Sequence, residues 1–212
     1  MNLLLSAIIA ILPSPLKCRA LRLLGNEIGG SVYIGFSLLQ VRHIVLRGNA
    51  YIGHGNIFRN LQYLELGNES RINRWNYFTS GGYEHGSLVM GARSSISMRH
   101  YFDVCAEVEI GNDTIVAGIR STFYTHSKGI DVVDYVKPIT IADWCYIGSN
   151  VCFLPGATVG SHCFVGMGAV LVGNHSDDEF VLLAGNPARI KKNLDRDCAY
   201  YSQGKIVHPH MK

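Results

Sequence analysis

Nine histidines and six cysteines are the side chains of this 212-residue protein best suited to move protons or hold metal. A neutral imidazole can take a proton from an attacking group near neutral pH, because its unperturbed pKa is about 6.5. Two histidines stand in company that would use this. His126 lies in YTHS, and His100 lies in RHYFDVCAEVE, with Asp103 and Glu107 close behind it. Either carboxylate could accept the second ring N–H of a histidine and steady it. His43, His54 and His85 stand in no motif, and His162, at the fourth place of a hexapeptide, is expected exposed on a flat or at a corner. His208 and His210 form a His-x-His pair near the C-terminus, and two ligands without a third and fourth make a poor metal site. None of Cys18, Cys105, Cys145, Cys152, Cys163 and Cys198 forms a CxxC pair, which argues against zinc ribbons and dithiol redox chemistry. No metal is expected.

The elements that position these residues are legible in the stretch IADWCYIGSNVCFLPGATVGSHCFVGMGAVLV, residues 141–172. Every sixth residue is apolar: Ile141, Ile147, Phe153, Val159, Val165 and Leu171. The residue two before each next apolar one is small or slim: Cys145, Val151, Ala157, Cys163, Ala169. A helix would repeat at three and four, and a half-buried strand at two. A period of six fits a short strand and a corner, repeated. Three flats make a triangular coil of eighteen residues, and coils stack into an all-β solenoid. Cys145 and Cys163 fall one coil apart and read as stacked core thiols, which suits a reducing compartment.

The same pattern runs less cleanly through residues 28–140. Coils are expected to start at Ile28, Leu46, Leu66, Met90, Ile110, Ile141 and Val159. The coil from Ile110 is about 13 residues too long, placing a loop near residues 122–138 that contains His126. Smaller excursions fall near GGYEHG and RHYFDVCAEVE. Insertions in repeat proteins gather on one face, often the binding face; the two smaller excursions are candidates to line the same region, which spacing alone does not prove.

Residues 1–27 read as an N-terminal cap. MNLLLSAIIAIL is too short to span a bilayer, which takes about 20 residues. SPLKCRALRLLG reads as a helix with Ser14 as N-cap, Pro15 at N1, Lys17, Arg19 and Arg22 as its charges, and Gly25 at its end. It closes the solenoid end; a second reading lays residues 1–24 on a membrane surface. Residues 193–212 form a C-terminal extension. A net charge of +3 with 17% charged residues gives no argument for nucleic acid.

On IADWCYIGSN, VGMGAV and the closing LAGNPARIKKN, the chain resembles the hexapeptide-repeat acyltransferases, over roughly residues 25–192. The stretch RHYFDVCAEVEIGNDTIVAGIRSTFYTHS resembles the branch that acetylates sugars of bacterial polysaccharides. The resemblance implies a left-handed parallel β-helix, a homotrimer with sites between subunits, and acetyl-CoA as cosubstrate. It implies His126 as the general base that activates a sugar hydroxyl. General-base help is typically worth 10²–10⁴ in rate. It places the acyl donor on Ser149, on Met167 and Gly168, and on the basic closing turn of Arg189, Lys191 and Lys192. Met167 stands where the family usually has alanine, and Gly173 where it often has lysine. His100 and Asp103 are candidates for the acceptor side or for orienting His126. Backbone N–H groups at Gly148 and Ser149 are candidates for the oxyanion. The carbonic anhydrases of this fold carry two histidines five apart, a spacing this sequence lacks.

Two other functions remain open on the sequence: a catalytically silent scaffold, and a sugar N-acetyltransferase. The expected location is the cytoplasm, or the inner face of the membrane if residues 1–24 rest on lipid.

Overall fold

The computed structural model describes residues 1–128 and 135–202. It is a left-handed parallel β-helix of about eight turns. Parallel pairing runs from Ile28 to Leu46, Leu66, Met90, Ile110, Ile141 and Val159, the coil starts expected from the sequence. The second flat stacks Ile34, Ile52, Ile72, Ile96, Val116, Ile147, Val165 and Leu183. The third stacks Leu39, Phe58, Phe78, Phe102, Phe123, Phe153 and Leu171. All of these side chains are buried. The strands are so short that each commits one inward side chain per flat, and burial of that column is the main stabilising term. The five phenylalanines stack with centroids 4.5, 4.7, 4.1 and 4.6 Å apart, so the third flat has a continuous aromatic spine.

The corners turn on left-handed residues. At the corner between the first and second flats these include Asn49 (φ 60), Arg93 (φ 58), Asp113 (φ 54) and His162 (φ 60). At the corner between the second and third they include Trp75 (φ 61), Arg99 (φ 56), Arg120 (φ 63) and Asn150 (φ 56). The corner between the third and first flats carries nearly all the extra length. Six residues separate Phe153 from Val159, but twelve separate Phe78 from Met90 and eighteen separate Phe123 from Ile141. The three excursions therefore share one edge.

Two helices close the first coil: α1, Leu3–Ala10, and α2, Ser14–Leu23. Gly25 (φ 84) ends α2 as expected, with the Asn26 N–H on the Leu21 carbonyl at 3.1 Å. The start differs. Pro13 is the N-cap without a side-chain bond, and the Ser14 hydroxyl accepts instead from the Ile34 N–H at 2.9 Å. Lys17 differs too. It is fully buried, donating to the Ala10 carbonyl at 3.0 Å and to the Gly35 carbonyl, and burial brings its pKa down to about 8. It ties α1, α2 and the first coil together. At the far end Val181–Ala184 pairs antiparallel with Arg189–Asn193, and α3, Ala199–Ser202, lays Tyr200 and Tyr201 against Phe164. His208 and His210 lie outside the described residues. Among the described residues no helix is long and apolar enough to cross a membrane.

Candidate active site

The edge between the third and first flats brings His126 together with Asp103. Strand Tyr101–Asp103 pairs with Tyr77–Thr79 on one side and Thr122–Tyr124 on the other. The chain then turns at Thr125, which is buried and pinned: its N–H and hydroxyl both donate to the Asp103 carbonyl (3.2 and 2.8 Å), and its hydroxyl oxygen accepts from the Ala106 N–H (3.0 Å). His126–Ser127 next pairs antiparallel with Tyr135–Val136, so His126 stands at the root of the long insertion rather than at its tip. Its Nδ1 is 3.7 Å from Asp103 Oδ2, and its side chain is 25% exposed. That distance is longer than a hydrogen bond but suits attraction between a carboxylate and an imidazolium. The Tyr83 ring, from the GGYEHG excursion, lies 5.3 Å from the imidazole. Glu107, the other carboxylate weighed from the sequence, instead accepts from the Ser87 hydroxyl at 3.2 Å.

Tyr83 and Cys105 were not singled out by the sequence; their segments were. The Cys105 thiol donates to the Ser80 carbonyl at 3.2 Å, and burial, reinforced by Asp103, pushes its pKa up to about 12. Ligand atoms of Asp103, Cys105 and His126 lie within 4.8 Å of one another, the one such trio among the described residues. A thiol held protonated is a poor metal ligand as it stands.

His100 is not in this site. It is 2% exposed and belongs to a buried polar column at the opposite corner. There the Ser37 hydroxyl accepts from the Asn56 N–H, Asn56 Oδ1 from the Asn76 N–H, Asn76 Oδ1 from the His100 N–H, and His100 Nδ1 from the Ser121 N–H, at 2.9 to 3.1 Å. Each rung satisfies the next coil's corner N–H, which no strand reaches. Accepting at Nδ1 fixes the proton on Nε2, which is buried beside Gly118 without a bond of ordinary geometry. Burial brings the His100 pKa down to about 4. His100 therefore neither meets an acceptor nor orients His126. His162 is likewise stacked, 4.4 Å from Phe180 between centroids.

The residues expected to hold the acyl donor gather on the corner between the second and third flats. Ser149 Oγ accepts from the Ile119 N–H at 3.3 Å, and the Gly168 N–H donates to the Ser149 carbonyl at 3.0 Å. A Cβ on Gly118 would fall 1.7 Å from Ser149 Oγ, so only glycine lets the serine sit there. Met167 projects from this edge, 77% exposed. One coil on, the closing hairpin carries Arg189, Lys191 and Lys192, all exposed, and is tied down by Val170, which donates to Gly185 (2.9 Å) and accepts from Ala188 (2.8 Å). The Gly148 N–H does not serve an oxyanion: it donates to the Val165 carbonyl at 2.9 Å.

His126 and the residues expected to hold the donor thus border the same flat from opposite sides. At about 3.3 Å per residue the flat from Arg120 to Thr125 is roughly 16 Å wide. Tyr77, Tyr101 and Tyr124 face outward between them, each neighbouring pair 5.8 Å apart.

This arrangement has relatives. A hexapeptide-repeat-containing acetyltransferase of Vibrio cholerae is 27% identical and superposes with a TM-score of 0.55, over 61% of this chain and 73% of that one. A probable acetyltransferase of Mycobacterium tuberculosis is 26% identical over 161 residues, covering 71% of this chain and 52% of its own length. The proteins the chain resembles in sequence and in structure are hexapeptide-repeat acetyltransferases. The galactoside O-acetyltransferase of Escherichia coli is 37% identical over 68 residues, 32% of each chain. A polySia-specific acetyltransferase, 22% identical, shares the fold with a TM-score of 0.64 over 80% of this chain and 76% of its own. No protein-family profile matches the chain. The chain spans about half, or less, of the length of the curated relatives it matches.

Proposed function

We infer that this hexapeptide-repeat protein transfers an acetyl group from acetyl-CoA to a sugar hydroxyl, with His126 as general base. The observation that carries the reading is a quarter-exposed imidazole, rooted by Thr125 and faced by the Asp103 carboxylate, on the edge where three excursions meet. His126 would accept the hydroxyl proton as the oxygen attacks the thioester carbonyl. Asp103 would stabilise the imidazolium that forms, and the proton would then pass to the departing thiolate of coenzyme A. Donor-side support comes from Ser149, Met167 and Gly168 on one edge, with Arg189, Lys191 and Lys192 beyond them as charge for phosphate.

Since base and donor residues lie across a flat from each other, one chain does not complete the site. A homotrimer would, by setting one copy's insertion edge against another copy's donor edge. The exposed Leu3, Leu4, Ile8 and Ile11 of the cap are the support for peripheral contact with a membrane.

Acetyl-CoA binding by calorimetry tests the reading. Micromolar affinity in the wild type, weakened at least tenfold by Arg189→Ala/Lys192→Ala, is expected. No binding at millimolar donor would leave a scaffold.

A further inference from the structure

The donor edge continues toward the N-terminus past the coils that would hold acetyl-CoA. There it changes character. Coil by coil the corner residues are Gly55, Trp75, Arg99, Arg120, Asn150 and Gly168, each with φ above zero. The stacking is fixed by the backbone: Arg99 N donates to the Arg74 carbonyl at 3.2 Å, Arg120 N to the Arg99 carbonyl at 3.0 Å, and Asn150 N to the Ile119 carbonyl at 3.0 Å. Adjacent coils are about 4.8 Å apart. Arg99 and Arg120 are therefore neighbours at their Cα atoms, with Arg74 beside them.

All three arginines are exposed, and none pairs with a carboxylate among the described residues. The local segments INRWNYF, ISMRHYF and VAGIRSTF hold no Asp or Glu. Arg93 shows what a structural arginine at such a corner looks like here. It also has φ near 60, but it grips Asp113 through two bonds of 2.7 and 2.5 Å. Arg99 and Arg120 receive no such return for a strained backbone and mutual repulsion. Below them Trp75 is 59% exposed, its indole lying over Gly55, where a Cβ would come within 2.4 Å of the ring. A flat indole beside a row of unpaired guanidiniums offers stacking for a sugar ring and forks for carboxylate or phosphate.

We propose that the Trp75–Arg74–Arg99–Arg120 edge is the acceptor track of this enzyme and that the acceptor is an anionic saccharide. This rests on the acetyltransferase reading for the word acceptor, but the binding claim stands apart from it. The negative charge is a carboxylate of an acidic sugar or the phosphate of a phosphorylated or diphosphate-linked one. The basic closing hairpin at the other end serves the donor, so the two clusters have separate ligands. The track runs into the edge at Ser149, so a saccharide lying on it would bring its hydroxyls to the end of the donor groove.

The test is binding without donor, by calorimetry, of three probes: a sialic acid tetramer, UDP-N-acetylglucosamine and maltotetraose. At least one charged probe should bind, more weakly at 300 mM than at 50 mM salt, while maltotetraose binds at least tenfold less tightly. Arg99→Gln/Arg120→Gln should weaken the charged probe at least tenfold, Trp75→Ala should weaken it severalfold, and Arg19→Gln on α2 should leave it unchanged. Preference for the tetramer assigns carboxylate, and preference for the nucleotide sugar assigns phosphate. The proposal is overturned if neither charged probe binds, if maltotetraose binds as well, or if the double variant keeps wild-type affinity. Should the double variant not fold, the salt dependence and charge preference of the wild type decide. Acetyl-CoA binding is measured separately, so loss of the acetyltransferase reading would show there and not here.

Discussion

Two histidines of one chain meet opposite fates. His100 and His126 both follow a strand of the second or third flat, and both have an aspartate within reach in sequence. His100 sits in a corner column whose other rungs are Ser37, Asn56, Asn76 and Ser121, and its ring is spent on a backbone N–H. His126 sits on the edge where the repeat is broken, with its imidazole partly exposed beside Asp103. The corner column holds coils in register and is sealed. The excursion edge is freed from that duty because added residues carry it clear of the core. In this solenoid, position within the coil decides whether an imidazole is sealed into the structure or left accessible.

Removing the sealed histidine should have the largest effect on stability. His100→Ala takes away a buried rung and leaves the Ser121 N–H unpaired, for a loss of about 3 kcal/mol by chemical denaturation. His126→Ala, partly exposed, should cost well under 1 kcal/mol by the same measurement. Equal losses would dissolve the contrast.

The pH dependence sharpens it. The folded pKa of His100 is depressed to about 4 against 6.5 for the free side chain. Below 6.5 the unfolded chain takes up a proton that the folded chain does not. The contribution of His100 is therefore full above pH 6.5 and lost as pH falls toward 4. Linkage puts the loss at about 2 kcal/mol by pH 5. His100→Asn, which repeats the rung at Asn56 and Asn76, should remove this component from a denaturation series between pH 7 and pH 5.

On the open edge the proposed role of Asp103 is to act through His126. Asp103→Asn should lower kcat about tenfold, or about 1.4 kcal/mol, while KM for acetyl-CoA stays put. Partial recovery in Asp103→Glu would mark a charge and not a shape requirement. The smallest effect is expected at Met167, exposed on the donor edge. Met167→Ala should change acetyl-CoA affinity two- to fivefold without altering the melting temperature.

The coil starts were legible because each short strand commits one apolar residue inward, from Ile28 to Val159, and spacing alone finds them. The insertion was legible for the same reason, as a departure from eighteen. The place of His100 was not legible because a corner rung and a loop residue look alike until the coils are aligned. Helix α1 gave no signal since LLLSAIIA is apolar on every side. Lys17 reads in the sequence as one charge of α2 among three; only the seating of α1 across it makes it a buried donor to two carbonyls. The Trp75–Arg99–Arg120 column was hidden by unequal coil lengths, which scatter its members in sequence while the backbone stacks them in space.

The measurement that tests the account most directly is single-turnover acetyl transfer to an accepted saccharide by wild type and His126→Ala, alongside acetyl-CoA binding to both. A fall in rate of 10²–10⁴ with donor affinity within twofold of wild type is the predicted result. Transfer at the wild-type rate by His126→Ala would contradict it and return His126 to the ordinary surface.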